Sequence, residues 1–426
     1  MQHVLDIILA DRRVGAITNL GSDHNAFVFD PAYVADEGRP VLSLGFFNAK
    51  GDLAAPARPP QVRLLPFFAN LLPEGHLRSY LAQRARVNPV RDFPLLWLLG
   101  EDLPGAVIAR HPAGIETPPY DSDDIITPAI QDDPGVLKFS LAGVQLKFSA
   151  IREASGGLTI PVHGKNGKWI VKMPSATYAL VPENEYTMLT FARRVGIDVP
   201  EIGLVEATDV ANLPPEVRKD LGKAMYIKRF DRDGDQRIHI EDFAQIFNQY
   251  PANKYDNVSY TNMLSGIWRS MGEEQTAEFV RRLVFSVGLG NADMHLKNWS
   301  VIYRDGKTPQ LTPAYDYVST IVYIPNDKLA LSVVRIKDWE QISDDLLERF
   351  ARRAGVPRGI VLTSAHDMVE RIRHELPRLN DQELLPPHFI DAITRHIARI
   401  PLFTHSRVHP GVAKSTPSKA PEIEIA

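Results

Sequence analysis

Between an apolar helical pattern that ends at Gly288 and Gly290 and a β-branched run, Ser300-Val301-Ile302-Tyr303, lies a polar stretch, Gly290 to Asn298. Asp293 is followed five places later by Asn298, with His295 and Lys297 in between. A second acid, Asp316, comes after a hairpin-like turn at Asp305-Gly306. A carboxylate and an amide oxygen are hard ligands that suit Mg²⁺. A further carboxylate beside a hydroxyl can orient or accept its proton. Phosphoryl transfer asks for this set, since it is mostly positioning and neutralisation of charge. On spacing alone, that chemistry and a plain polar turn between helix and strand are evenly matched.

An Asp, an Asn five residues on and a later Asp is the order used by protein kinases, so the upstream half has to supply the partners. Trp169-Ile170-Val171-Lys172 places a lysine at the end of a short apolar strand, where an ammonium is costly to bury unpaired. In kinases such a lysine contacts the α/β-phosphates and pairs with a helix Glu. A helix is expected from Pro182 to Arg194, with Pro182 suited to its start and Glu183 and Glu185 in its first turn. Glu185 is the first candidate partner of Lys172 and Glu183 the second; complementarity to the helix dipole is the competing account for each. Tyr186, Leu189 and Ala192 are expected to form its apolar face.

Two segments flank this core. Lys138 to Ala150 reads as two strand-like runs around Ala142, Gly143, Val144 and Gln145, with Lys147 beyond. A turn of small residues can lay its amides over phosphates; a plain hairpin is the alternative. The expected strand Ala224 to Ile227 runs into Lys228-Arg229-Phe230-Asp231. An acid after such a hinge suits ribose hydroxyls, and Asp231 fits, with a solvated turn as the other reading. The acidic run from Asp231 is no calcium loop, because Gln236 stands at position six and Asp242 at position twelve, where Gly and Glu are needed.

The 426 residues are 44% hydrophobic and 23% charged, enough for two or three lobes of a globular protein. Net charge is −4, which gives no basic footprint for binding nucleic acid directly. There are no cysteines, no signal-peptide pattern and no apolar run of spanning length, so a cytoplasmic protein without membrane attachment is expected. Residues 1–110 read as an α+β unit, with strands at 4–9, 14–18 and 26–29, a tight turn at Asp11-Arg12-Arg13, and helices at 76–84 and 93–99. For those two helices core packing is the default role. Residues 111–135, rich in Pro and acids, read as a linker, and 136–240 as a small lobe. Residues 241–405 read as a nearly all-helical lobe, with segments including 260–270 and 274–287, and 406–426 as a disordered tail.

Taken together, Phe68 to Gly75, Gly100 to Ala106, Ser140 to Lys147, Asn184-Glu185-Tyr186, Arg229 to Arg232, Gly290 to Asn298 and Tyr315-Asp316 resemble the HipA family, bacterial Ser/Thr kinases that act as toxins of toxin–antitoxin pairs. The resemblance implies a two-lobed, kinase-like α+β fold with an extra N-terminal subdomain and a helical C-terminal lobe. It implies ATP and Mg²⁺ as cofactors, Asp293 as catalytic base, Asn298 and Asp316 as metal ligands, and Lys172 as the ATP lysine. Asp231 becomes a nucleotide contact, Leu141 to Lys147 the phosphate loop, and Ser140 the autophosphorylated serine whose modification silences the enzyme. His295 and Lys297 either support the catalytic loop or touch the γ-phosphate. Lys228 departs from the family, standing where its best-known member carries an acid. The implied substrate is an aminoacyl-tRNA synthetase, with the glutamyl enzyme favoured. The implied partner is a small helix-turn-helix antitoxin, HipB-like, that carries most of the affinity for operator DNA. A small-molecule kinase with the same lobes and a pseudokinase corepressor or scaffold are the other readings.

Overall fold

The computed structural model describes residues 3–21, 24–48, 50–54, 63–85, 87–111, 147–152, 158–159, 167–213 and 222–404. Ser140, the expected phosphate loop through residue 146, nearly all of the expected linker and the tail lie outside the described residues.

Apolar residues of period two make the first strands, β1 (His3–Leu9), β2 (Arg12–Asn19) and β3 (Asn25–Phe29). Leu5, Ile7 and Leu9 all point inward, because successive strand side chains face opposite ways. The β1–β2 turn is Ala10-Asp11, with φ of 50° and 58°, so Arg12 and Arg13, expected in the turn, instead open β2. Positive φ at both central residues gives the hairpin a twist that matches its strands. β4 (Ile108–Arg110) pairs with the other side of β1, giving an antiparallel sheet of order β3-β2-β1-β4. The helices Pro66–Ala69, Gly75–Ala85 and Asp92–Leu99 accompany it, around a core that includes Phe27, Phe67, Phe68 and Phe93.

The second sheet holds β5 (Lys147–Arg152), β6 (Leu158–Thr159), β7 (Trp169–Lys172), β8 (Ile202–Glu206), β9 (Val210–Ala211) and β10 (Lys223–Lys228). Their order is β8-β10-β7-β5-β6-β9. Strand alternation sorts its residues. Trp169, Val171 and Ala224 join a small core on one face, while Ile170, Met225 and Ile227 pack into the core shared with the helix Val181–Arg194. Lys172 keeps step with Ile170 and therefore lies on the helix side. The helix buries Met188, Leu189, Phe191 and Ala192, a broader stripe than expected, and Tyr186 is only half-buried at its margin.

β11 (Arg232–Asp233) and β12 (Gln236–Arg237) form a hairpin. β13 (His239–Asp242), β14 (Ser300–Tyr303) and β15 (Gln310–Leu311) form a small antiparallel sheet. The helix Tyr260–Leu289 starts from a Ser259–Asn262 capping box and breaks at Gly272 (φ 78°, ψ −166°), so the two expected helices are its two halves. The helices Asp344–Ala354, Arg358–Glu375 and Pro387–Ile397 complete the lobe. Residues 312–338 are mostly irregular, so this lobe is less helical than expected. One continuous core runs from β10 and the helix Val181–Arg194 into the helical lobe, with the Phe191 and Phe285 rings 5.4 Å apart. The architecture is the two-lobed α+β arrangement with an N-terminal α+β unit.

Candidate active site

The helix Tyr260–Leu289 ends at Gly290 in the left-handed conformation (φ 65°). A side chain there would strike Ile321, whose Cγ1 lies 2.3 Å from the position of a Cβ; only Gly meets both demands. The loop that follows is fastened from several sides. Thr320 Oγ1 accepts from Ala292 N at 2.8 Å and donates to Gly290 O at 3.0 Å. Asn291 accepts from Asp293 N at 3.0 Å through Oδ1. Asn298 donates its amide to Asp293 O at 2.8 Å, so its oxygen is the atom available as a ligand.

The Asp293 carboxylate is buried and accepts a hydrogen bond from the Tyr255 hydroxyl. Burial pushes its carboxyl up to about 7, against the pull of Tyr255 and Lys254. His295 is buried beside it, Nε2 at 3.9 Å from Asp293 Oδ1 and its ring edge-on to Tyr255 at 4.9 Å. Among the described residues neither ring nitrogen has a hydrogen-bond partner, and burial together with Lys254 holds the imidazole neutral.

Across from this loop, the Lys172 ammonium bonds both Glu185 and Asp316. Glu183 makes no such pair; burial raises its carboxyl. Lys147, the cross-strand partner of Lys172, reaches Asp316 Oδ2 at 3.0 Å and Oδ1 at 3.2 Å. Burial would raise the Asp316 carboxyl, but Lys147 and Lys172 hold it well below the usual carboxylate range. Asp316 also has a left-handed backbone, φ 55°, a conformation that costs energy outside Gly and Asn and collects at functional sites. Lys147, Lys172, Glu185 and Asp316 thus form one ion cluster, and Asn298 is tied to Asp293, whose carboxyl feels the charges of Asp316 and Lys147. An amide oxygen and a carboxylate are the donor chemistry that Mg²⁺ takes, so Asn298 and Asp316 fit that ion.

Two expected nucleotide contacts sit elsewhere. Asp231 is 4% exposed and is saturated by Gly105 N at 2.8 Å, Arg229 at 2.8 and 2.9 Å and Arg232 at 2.9 Å. Two guanidiniums and an amide hold it in place, and through them it ties the N-terminal unit to the strand that leaves the small lobe. Lys297 turns away from the cleft to Asn70 O and Oδ1, both at 3.0 Å, and to Asp242 Oδ2 at 3.1 Å. Three acceptors take up its three protons, which fastens the loop to Asn70 and Asp242.

Other residues of the site carried no signal of their own. Tyr255 follows an unremarkable polar turn. Asn184 is fully buried and clamps the helix Val181–Arg194 to the chain after Asp316, through Ser319 O at 3.0 Å and Ser319 N at 3.1 Å. The triplet Asn184-Glu185-Tyr186 held that information, but its partner lies 135 positions away.

The HipA N-terminal domain family matches residues 5–110 and the HipA-like C-terminal domain family matches residues 139–376. The Sinorhizobium fredii protein Y4dM is 48% identical over 373 residues, 87% of this chain and 90% of its own length. The serine/threonine-protein kinase toxin HipA of Shewanella oneidensis is 26% identical over 347 residues, 72% of this chain and 75% of that protein. The structure of Shewanella oneidensis HipA with HipB and operator DNA superposes with a TM-score of 0.70 at 22% identity, covering 93% of this chain and 96% of that one, and shows the fold. With both family domains matched in order over most of its length, the chain belongs to the HipA family of kinases.

Proposed function

We propose that this chain is an ATP- and Mg²⁺-dependent protein serine/threonine kinase that acts as a HipA-like toxin. The observation that carries this reading is the single ion cluster of Lys172, Glu185 and Asp316 beside the buried Asp293 and Asn298. We assign the nucleotide lobe to residues 136–240, with the role of phosphate loop given to Leu141 to Lys147, and the catalytic lobe to 241–405. Lys147 and Lys172 exchange part of their hold on Asp316 for the ATP phosphates, while Glu185 keeps Lys172 in place. Mg²⁺ held by Asn298 and Asp316 supplies neutralisation of phosphate charge. Asp293, with its carboxyl near 7, is suited to take the proton of a serine hydroxyl. The serine oxygen then bonds the γ-phosphorus, the bond to the bridging oxygen breaks, and ADP leaves. The buried His295 ring, beside Asp293 and Tyr255, is given one of two roles in this reading, support of the catalytic loop or contact with the γ-phosphate.

The substrate we favour is an aminoacyl-tRNA synthetase, the glutamyl enzyme first, whose modification would slow translation. Transfer to Ser140 would silence the enzyme by adding charge beside the triphosphate. The Shewanella oneidensis HipA was solved with HipB and operator DNA. A helix-turn-helix antitoxin is accordingly the proposed partner here, and the net charge of −4 suits DNA affinity supplied mainly by it. Among the described residues no helix is long and apolar enough to cross a membrane, and cytoplasmic action is part of the proposal.

The test supplies labelled ATP to the parent and to Asp293→Ala, with Mg²⁺ or with chelator, and glutamyl-tRNA synthetase as acceptor. Mass spectrometry then locates phosphate on the acceptor and on Ser140. Transfer should need Mg²⁺ and fall by about a thousandfold in the variant, while nucleotide affinity stays near the parent's. Undiminished labelling in Asp293→Ala would remove Asp293 as base. Transfer to metabolites alone would make the chain a small-molecule kinase.

A further inference from the structure

The segment Asn70 to Glu74 belongs to the N-terminal unit, yet its polar atoms are spent on the catalytic loop. Asn70 gives both its carbonyl and its Oδ1 to Lys297 Nζ, each at 3.0 Å, and anchors itself through Nδ2 to Pro66 O and Gln249 O, each at 2.8 Å. Glu74 lies between two ammonium groups, with Oε2 3.0 Å from Lys254 Nζ and Oε1 3.4 Å from Lys297 Nζ.

Each of these lysines adjoins a residue of the active site. Tyr255, next to Lys254, bonds the Asp293 carboxylate. Asn298, next to Lys297, donates to the Asp293 carbonyl. The loop also hangs from Lys254 directly, since Leu296 N donates to Lys254 O at 3.2 Å. Both lysine heads are largely withdrawn from water, with side-chain exposures of 8% and 15%. Buried like charges repel unless a counter-charge stands between them. Burial would raise the Glu74 carboxyl, but Lys297 and Lys254 hold it below its ordinary value, so it stays the anion they need. Asp242 is a further acid on Lys297, 3.1 Å from its ammonium.

We propose that Glu74 is a positioning residue for phosphoryl transfer: by bridging Lys254 and Lys297 it fixes Tyr255 and Asn298 about Asp293, and it makes the geometry of the catalytic loop depend on the docked N-terminal unit. This rests on the reading of Asp293 and Asn298 given above. Glu74 does not touch nucleotide or acceptor. Its loss acts through the loop, so it should lower the rate of transfer and spare ATP binding.

The experiment compares the full-length parent, Glu74→Gln, Lys254→Met and the double variant, with two readouts. The first is hydrogen exchange of peptides spanning residues 290–298, with peptides from 358–375 as internal reference. The second is Mg²⁺-dependent loss of labelled phosphate from ATP to the protein itself or to water. Glu74→Gln should speed exchange in the loop and leave the reference peptides as they were. Its kcat should fall about tenfold to a hundredfold, as misplacement of a reacting group by an ångström or less does, with KM for ATP near the parent's. The double variant should be no slower than the worse single one, because both cut the same bridge. Should Glu74→Gln unfold the protein, Glu74→Asp, which shortens the bridge, replaces it and should show the same signs in smaller measure. Unchanged exchange and unchanged kcat, or losses that multiply in the double variant, would overturn the clamp. A parent that transfers no phosphate would overturn the kinase reading instead, and loop exchange would still decide the clamp.

Discussion

At the scale of single residues, Tyr255 opposes the burial that raises the Asp293 carboxyl. Its hydroxyl donates to the ionised carboxylate, and a donor to the charged form lowers a carboxyl's pKa. Tyr255→Phe should therefore push the Asp293 carboxyl above its present value of about 7. Asp293 must be ionised to accept a proton, so activity at neutral pH should drop and return in alkali. The acid limb of the kcat/KM profile should move up by about one pH unit, the worth of one hydrogen bond to a charged group. An unmoved limb would detach Tyr255 from the base. The roles expected of Asp293, Asn298, Asp316 and Lys172 were drawn from spacing and strand position, which are local. Tyr255 had no such cue, since the contact spans 38 positions with no periodicity behind it. For Asp231 a structural cue was adjacent: the arginines at 229 and 232 both pair with its carboxylate.

At the scale of elements, β13 and β14 carry a buried polar joint to the N-terminal unit. Glu241 accepts from Leu44 N at 2.9 Å and from the Tyr303 hydroxyl. His239 meets Leu42 O at 2.8 Å and stacks on Tyr303 at 5.3 Å. Burial pushes the Glu241 carboxyl up to about 7 and the His239 imidazole down to about 4. A raised carboxyl favours the fold at low pH, and its contribution drains away between about 4.5 and 7. A lowered imidazole does the reverse, favouring the fold above 6.5 and losing that advantage as pH falls to about 4. Over most of this range the two slopes cancel. Glu241→Gln removes one of them. Its stability relative to the parent should thus improve by about 3 kcal/mol from pH 4.5 to 7, from a shift of about 2.5 pH units. Urea unfolding at several pH values measures this, and a constant gap between the two proteins would refute it. The strands themselves were legible from β-branched runs. That β13 would bind a neighbouring unit was not, because one buried acid looks like any other in a sequence.

At the scale of the whole molecule, the N-terminal unit is keyed to the small lobe and the catalytic lobe. Asp231, Arg232 and Arg237 grip the backbone of Glu101, Leu103 and Gly105. Gly105 has φ 73°, and a Cβ there would lie 2.9 Å from Ile240 N on β13. Gly105→Ala meets both the left-handed backbone and a strand that cannot retreat. It should cost about 2–4 kcal/mol, seen as a lower urea midpoint; a midpoint within error of the parent would show the seam to be soft. The resemblance made the extra unit foreseeable, and core packing suits its helix Asp92–Leu99, but the contacts to the catalytic loop come from Asn70 and Glu74, just ahead of the helix Gly75–Ala85. Nothing in a segment 180 residues from Lys254 reveals that its carboxylate will pair there.

The apolar core that begins on β10 does not stop at the cleft; it passes beneath it through Phe191 and Phe285 into the helical lobe. A jaw needs a joint with little packing across it, and this floor is close-packed from one side to the other. Swinging the halves apart would expose that floor to water. An opening that parted these two rings would therefore have to work against the hydrophobic effect, which holds both halves of the core on one floor.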